Sequence, residues 1–268
     1  MGRKTQHILV LIQDQNYIRK AIVHAFKLAS IFKAEVAFTQ ICKSASNNQL
    51  PSSLIGELNS ENIVYKEISL GNPAVEPNNT IQQLEAIFIV TEFAKGKLST
   101  FKKNEVFKYL YKAKIPSILL GEKSKEQCNY QNITVPVDFK RETKEKMIWA
   151  SYFGRFNQAR IHLFTANHKA ESAQRKIKAT LIFTKRMYEQ FNFDYKIVKS
   201  ERSSNWLRQD AYSFSEQFHS DLMVLLSQKN DGLLNKYFGP AEIKKFLRNK
   251  GNPILFINPL KDYYLPCN

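Results

Sequence analysis

The sequence has few cysteines and no long run of apolar residues. Its three cysteines, Cys42, Cys128 and Cys267, are odd in number, far apart and never at metal-ligand spacing, which argues against a disulfide framework. The longest apolar runs fall far short of the roughly 18 residues that a membrane-spanning helix needs. The N-terminal residues lack an apolar signal core. We therefore expect a reduced, cytoplasmic protein that does not enter the membrane.

The sequence motifs of common enzyme sites are also missing. There is no Gly-x-Ser-x-Gly nucleophile elbow, no P-loop ending in Gly-Lys-Ser/Thr, and no Gly-x-Gly-x-x-Gly after a predicted strand. No two of the five histidines have the i, i+4 spacing that binds zinc on a helix. We therefore predict neither a catalytic site nor a metal site.

Basic residues are in large excess, and the formal net charge is +16 over 268 residues. A strongly positive surface attracts nucleic acids and other polyanions, and such binding weakens steeply with salt. The lysines are scattered through every predicted helix, however, and do not form one tract with interleaved aromatic residues. Binding of nucleic acid is therefore the less favoured alternative, and a solvated basic surface is the simpler interpretation.

A strand, a polar turn and a helix occur twice in the chain. The apolar run Ile8–Ile12 corresponds to Ile133–Val137, and an amphipathic helix follows each of them. The next strands, Ala34–Phe38 and Ala159–Leu163, are the same number of residues apart as the first two, so the two copies align without a gap. The chain therefore contains a duplicated strand-helix-strand unit.

Each half also closes in the same way, with a buried strand, a lysine-rich helix and a last strand entered through proline. The buried strands are Ala86–Val90 and Asp221–Leu225, and the last strands are Ile115–Leu120 and Asn252–Ile257. Strands separated by helices form right-handed crossovers in a parallel sheet. The sequence therefore predicts two tandem, doubly wound α/β domains with mostly parallel sheets.

The polar stretch Glu122–Asn132 separates the halves and has no apolar periodicity. We therefore predict domains spanning residues 1–127 and 128–268. Inside the halves, the sequence predicts a strand at Ile63–Ile68 and a helix over about Ala179–Phe191.

The opening of the second half, Ile133-Thr-Val-Pro-Val-Asp-Phe139 followed by a helix and Ala159–Leu163, resembles the start of a universal stress protein domain. The turn Gly71–Ala74 and the two final strands are similar to elements of the same family. The resemblance covers most of both halves. It implies five-stranded parallel sheets and dimerisation through the last strand, hence an intramolecular pseudo-dimer. Such pairing would cover edges that otherwise expose backbone groups.

Nucleotide-binding members of this family contact adenine with an Asp after the first strand and wrap the phosphates with a glycine motif. Glycine is needed because backbone N–H groups must approach the phosphate oxygens closely. The resemblance places Pro136, Val137 and Asp138 at the adenine end of a site in the second half. It places Ser227 and Gly239 at the phosphate end, so that ATP is the cofactor this domain would hold.

The phosphate-binding motif is degraded in this chain. With Gly239 as its last glycine, Leu226 and Lys229 replace the two earlier ones, and Pro240 stands at the hydroxyl position. Gln13 replaces the aspartate in the first half. We therefore expect a non-catalytic protein that binds protein partners and no cofactor. The alternative is an ATP-binding protein that uses its second domain, with slow hydrolysis.

The same residues also have simpler interpretations. Asp138 is expected to hydrogen-bond its own turn, as aspartate often does before a helix, and Thr143 is expected to cap that helix. Gly239-Pro240 is suited to begin the last helix, where the missing donor of proline is harmless. Asp14 and Glu92 lie near strand ends, where ligands of α/β sheets bind, and are interpreted as caps or solvated loop residues.

Overall fold

The computed structural model of the chain describes residues 5–13, 17–40, 65–67, 77–93, 100–140, 142–201, 206–227, 243, 246–248 and 251–259. The chain forms two compact units. The first contains residues 1–128 and 228–251, and the second contains residues 129–227 and 252–268. The boundary at residue 127, as a border between independently folding domains, stays a prediction.

The first unit is built on a parallel sheet with strand order β3-β2-β1-β4-β5. Its strands are β1 (His7–Ile12), β2 (Glu35–Gln40), β3 (Tyr65–Glu67), β4 (Ala86–Glu92) and β5 (Ser117–Leu120). Its helices are α1 (Arg19–Phe32), α2 (Pro77–Gln83) and α3 (Thr100–Lys112). Every residue of β1 is buried, as its unbroken apolar run predicts for a central strand of a parallel sheet.

The second unit repeats this arrangement, with strand order β10-β9-β6-β7-β8 and parallel pairing throughout. Its strands are β6 (Asn132–Val137), β7 (Arg160–Thr165), β8 (Tyr195–Lys199), β9 (Leu222–Leu226) and β10 (Ile254–Ile257). Its helices are α4 (Thr143–Asn157), α5 (Glu171–Gln190) and α6 (Leu207–Gln217). The predicted class, two five-stranded α/β layers in tandem, is confirmed.

The predicted elements differ from the observed ones mainly at their ends. The helix predicted to begin near Ala179 begins at Glu171. Of the strand predicted at Ile63–Ile68, the structure describes Tyr65–Glu67, which is a strand. Helix α6 was not predicted. The predicted turn and site positions at Gly71–Ala74, Gly239-Pro240, Lys229, Asp14, Cys42 and Cys267 fall outside the described residues.

Buried aromatic side chains fill the layers between sheet and helices. Tyr188 of α5 is fully buried, and its hydroxyl donates to the Met147 carbonyl on α4 at 2.9 Å. This bond ties two neighbouring helices of the second unit while satisfying the polar end of the ring. Burial raises the pKa of Tyr188 far above its ordinary value, so the hydroxyl remains a donor. None of the described helices is long and apolar enough to cross a membrane.

Candidate functional site

Each sheet reverses its strand order once, between β1 and β4 in the first unit and between β6 and β9 in the second. In open α/β sheets, ligands bind at such a switch point, in the crevice outside the carboxyl ends of the strands. The two units therefore have equivalent candidate sites, called here the first and the second crevice. Their side chains differ in charge and in hydrogen bonding.

Pro136 explains how the second crevice opens. The pairing of β6 with β9 runs through Ile133 with Leu222 and Thr134 with Met223. The Asn132 carbonyl accepts the Asp221 N–H at 2.7 Å, and carbonyl directions alternate along a strand, so the Pro136 carbonyl also faces β9. Because proline has no N–H, the ladder of hydrogen bonds cannot continue there. The two strands are thus free to separate towards their carboxyl ends.

Lys146 enters this opening from α4. Its ammonium donates to the Pro136 carbonyl, and the side chain is buried, with only 3 % of the residue exposed. Burial lowers the pKa of Lys146 to about 8, against the opposing effect of Asp138, and the positive charges of Arg208 and Lys140 lower it further. A side-chain cation therefore takes the place of a backbone donor at the end of β6.

Asp138 lies directly after β6 and is engaged by its own turn. Its Oδ1 accepts the Lys140 backbone N–H at 3.0 Å and the Thr143 hydroxyl. Burial alone would raise the pKa of Asp138, but the charge of Lys146 and these hydrogen bonds hold it below its ordinary value. The expected local turn is confirmed. The expected cap is wrong, because Glu142 is the N-cap residue, without a side-chain cap bond, and Thr143 donates to Asp138 instead.

Ser227 and Arg208 complete the second crevice on the β9 side. The Ser227 backbone N–H donates to the Ile257 carbonyl at 2.7 Å, while its hydroxyl, in a residue only 4 % exposed, has no hydrogen-bond partner among the described residues. Arg208, in the first turn of α6, donates from Nη2 to the Leu226 carbonyl at 3.3 Å. Two cations therefore contact the ends of the two separated strands.

Neutral side chains join β1 and β4 at the first crevice. The Gln13 amide donates to the Thr91 hydroxyl at 2.8 Å, and that hydroxyl donates to the Leu11 carbonyl at 3.0 Å. Leu11 is the residue of β1 that corresponds to Pro136 of β6. A threonine hydroxyl thus has, in the first unit, the place that the Lys146 ammonium has in the second.

Glu92, at the end of β4, is buried with 7 % of the residue exposed. Its Oε2 accepts the Lys20 backbone N–H at 3.2 Å in the first turn of α1, and the Lys20 ammonium lies 3.7 Å from its Oε1. The amino end of a helix is the place where an anion such as phosphate is bound. In the first unit, a carboxylate of the protein already occupies it. The interpretation of Glu92 as a cap is confirmed, and its interpretation as a solvated loop residue is wrong.

Solved structures of universal stress proteins share this fold over nearly the whole chain. The universal stress protein from Archaeoglobus fulgidus DSM 4304 has a TM-score of 0.64 at 11% identity, over 97% of this chain and 100% of that one. A putative universal stress protein from Pseudomonas aeruginosa UCBPP-PA14 has a TM-score of 0.61 at 15% identity, over 96% and 93%. This chain has the universal stress protein fold. No protein-family model and no curated protein matches its sequence.

Within this universal stress protein fold, the structure brings three of the five predicted site residues to the second crevice: Pro136, Asp138 and Ser227. Val137 is buried in β6, where it pairs with Thr165, and Gly239 lies outside the described residues. The adenine and phosphate contacts of these residues stay predictions. Among the described residues, no group of three or more His, Cys, Asp or Glu side chains is placed to hold a metal ion.

The sequence analysis missed Lys146 and Arg208. A signal for Lys146 was present, since it lies three residues after the buried Thr143 and four before the buried Ala150, on the core-facing stripe of α4. A lysine at such a position must be paired or functional. Arg208 had no comparable signal because its helix was not predicted.

The buried carboxylate of Glu92 makes a test of the first crevice possible. Burial raises the pKa of Glu92, while Lys20 and the backbone N–H groups of Lys20 and Ala21 oppose the rise. The native protein therefore holds this proton more tightly than the unfolded chain. The stability from this group is greatest at acid pH and falls as the pH rises through the raised pKa.

In the Glu92→Gln variant, the pH dependence of stability that comes from this carboxylate should disappear. We expect the free energy of unfolding of the wild type to fall relative to that of the variant as the pH rises from acid values through the raised pKa of Glu92. Urea unfolding at several pH values measures the difference. Glu126→Gln is the control, because the Glu126 carboxylate is on the surface beside Arg19. Parallel curves for wild type and Glu92→Gln would show that Glu92 is not buried at the α1 terminus.

Proposed function

We propose that the protein is a cytoplasmic, stress-associated binding protein of the universal stress type, which acts through protein partners and catalyses no reaction. The observation that carries the proposal is the position of Glu92 at the amino end of α1. Pairing of the final strands, β5 and β10, into an intramolecular pseudo-dimer belongs to the same proposal.

The first crevice is unsuited to a nucleotide for an electrostatic reason. A phosphate group at the α1 terminus would have to displace the Glu92 carboxylate, which already accepts the Lys20 N–H and lies near the Lys20 ammonium. If Glu92 stayed, two negative groups would share one buried site, and like charges at short range repel strongly. This unit therefore supports the structure or partner binding, and not phosphate chemistry.

The second crevice lacks the arrangement that hydrolysis needs. Asp138 accepts hydrogen bonds from its own turn and is held ionised, and the Lys146 ammonium is directed at a backbone carbonyl. Neither group is placed as part of a nucleophile and base pair. The glycines that would wrap a triphosphate are replaced in the sequence. We therefore propose that this crevice binds a ligand without transforming it.

The alternative, ATP binding with slow hydrolysis in the second domain, makes a different prediction. We expect no phosphate release above background with ATP and Mg²⁺, and a thermal shift with ATP no larger than that with tripolyphosphate. A ligand at 100 times its dissociation constant would stabilise by about 2.7 kcal/mol, which such a scan detects. Comparing ATP with tripolyphosphate isolates the contribution of adenine.

Asp138→Asn is the matched variant for this test, because it removes the charge at the predicted adenine end. A larger shift with ATP than with tripolyphosphate, lost in Asp138→Asn, would establish the ATP alternative. Hydrolysis by the wild type would contradict the non-catalytic proposal directly.

A further inference from the structure

We propose that the outer edge of β8, at the end of the second sheet, binds an extended, acidic segment of a partner protein, which adds to the sheet as a further strand. The inference rests on the proposed function, because it names the surface and the chemistry of one of the protein partners. The surface lies two strands away from the second crevice and needs no nucleotide.

The backbone of β8 has hydrogen-bonding groups on its outer side. β8 pairs with β7 in parallel, and no described strand pairs with its other edge. The Ser200 N–H donates to the Thr165 carbonyl at 2.8 Å, and backbone directions alternate along a strand, so Lys196 and Val198 also direct their groups towards β7. The outward backbone groups are therefore those of the other three residues, Tyr195, Ile197 and Lys199. Such an edge is a template for a strand from another chain.

The charge along this edge is positive. Lys196 and Lys199 are exposed, and neither has an ion-pair partner among the described residues. Asp194, directly before β8, is already paired with Arg160, whose Nε lies 2.6 Å from its Oδ2. Because the two lysines are three residues apart in a strand, they lie on opposite faces of the sheet. Carboxylates on an added strand would pair with both of them, and such complementary charges give an interface its specificity.

Apolar side chains lie on both faces of the same edge. Ile197, in the middle of β8, is 41 % exposed. On the other face, Lys196 and Val198 are on the same side of the sheet as His162, which pairs with Lys196. The His162 ring lies 6.2 Å from the ring of Phe218, which is 48 % exposed at the end of α6. An added strand would cover apolar surface on both faces, because its side chains alternate between them.

The corresponding strand of the first unit differs at the middle of this edge. β3 and β8 pair in the same way with the equivalent strands β2 and β7, and both begin with Tyr-Lys. The third residue is Glu67 in β3 and Ile197 in β8. Charged residues on an edge strand oppose pairing with another chain. An acidic segment is therefore expected to distinguish β8 from β3.

An acidic partner suits this edge better than a second copy of the chain. Two β8 strands would bring together the ammonium groups of Lys196 and Lys199 from both copies, and β8 contains no carboxylate. Like charges on paired strands are destabilising. The partner pattern that fits residues 196–199 is acid, apolar, apolar, acid. This pattern is the same in parallel and in antiparallel pairing.

The test is binding of a fluorescein-labelled peptide, Thr-Glu-Ile-Val-Glu-Thr with blocked ends, to the full-length protein, measured by fluorescence anisotropy. We expect saturable binding whose affinity falls about tenfold in Ile197→Glu, a loss of about 1.4 kcal/mol. Tyr152→Glu, which places the same charge on an exposed apolar side chain of α4, should bind as the wild type does. Lys196→Gln should also weaken binding, whereas Lys176→Gln, at an exposed position of α5, should not.

Two further peptides, each N-methylated at alternate residues, test the backbone pairing. Alternate N–H groups of an added strand face the sheet, so one methylated peptide should lose binding and the other should keep it. Equal binding of the two methylated peptides, or equal losses in Lys196→Gln and Lys176→Gln, would show that charge alone attracts the peptide and would overturn the inference.

Two other results would also overturn it. One is the absence of saturable peptide binding to the wild type. The other is a dimer of the free protein that Ile197→Glu dissociates in sedimentation experiments, because the occupant would then be a second copy. ATP hydrolysis would refute only the proposed function, since peptide binding is measured separately.

Discussion

Replacing Gly121 by alanine is expected to lower the free energy of unfolding by about 3 kcal/mol. A Cβ at this position would lie 2.0 Å from the carbonyl oxygen and 2.7 Å from the carbonyl carbon of Leu247. The neighbouring Glu122 N–H donates to the same oxygen at 3.2 Å, so the two backbones are in direct contact. Backbone atoms cannot rotate away as a side chain can, and the segment around Leu247 would have to move.

Gly154→Ala is the control for this prediction. Its Cβ would meet the Phe193 ring at 3.1 Å, and a ring can shift by a few tenths of an ångström. Alanine in a helix also gains about 1 kcal/mol over glycine, so we expect a net change within about 1 kcal/mol of zero. Urea unfolding of both variants gives the comparison. Equal tolerance of the two substitutions would mean that residue 247 does not pack against residue 121.

Much of the fold could be predicted because its strongest signals are local. The unbroken apolar runs of β1 and β6, and the amphipathic helix after each, are properties of short stretches of sequence. Helix α6 was missed because polar serines alternate with the large aromatics Tyr212 and Phe214, which hides its core-facing stripe. Its start, moreover, follows a polar stretch that looks like a loop.

The candidate site was predictable from the sequence only where residues that are neighbours along the chain form it. Asp138 and its turn lie within one short stretch of sequence, and the structure confirms that turn. The decisive contacts join groups of different elements: Lys146 of α4 contacts the Pro136 carbonyl of β6, and Lys20 of α1 contacts Glu92 of β4. Sequence patterns place such residues on elements but do not show which groups meet.

The hydroxyl of Thr91 is expected to contribute about 2 kcal/mol to the free energy of unfolding of the protein. It donates to the Leu11 carbonyl and accepts from the Gln13 amide, and all three groups are buried. Thr91→Val keeps the shape of the side chain but leaves a buried carbonyl and a buried amide without their partner. We expect that loss in the free energy of unfolding, measured by urea denaturation.

Thr39 of β2 provides the matched control in the same sheet. It is 2 % exposed, and its hydroxyl has no hydrogen-bond partner among the described residues. Thr39→Val therefore removes an unsatisfied polar group, and we expect no loss of stability or a small gain. If both variants lost the same amount, the effect would come from the Thr-to-Val change itself. The hydrogen bonds of Thr91 with Gln13 and with Leu11 would then not hold β1 and β4 together at the first crevice.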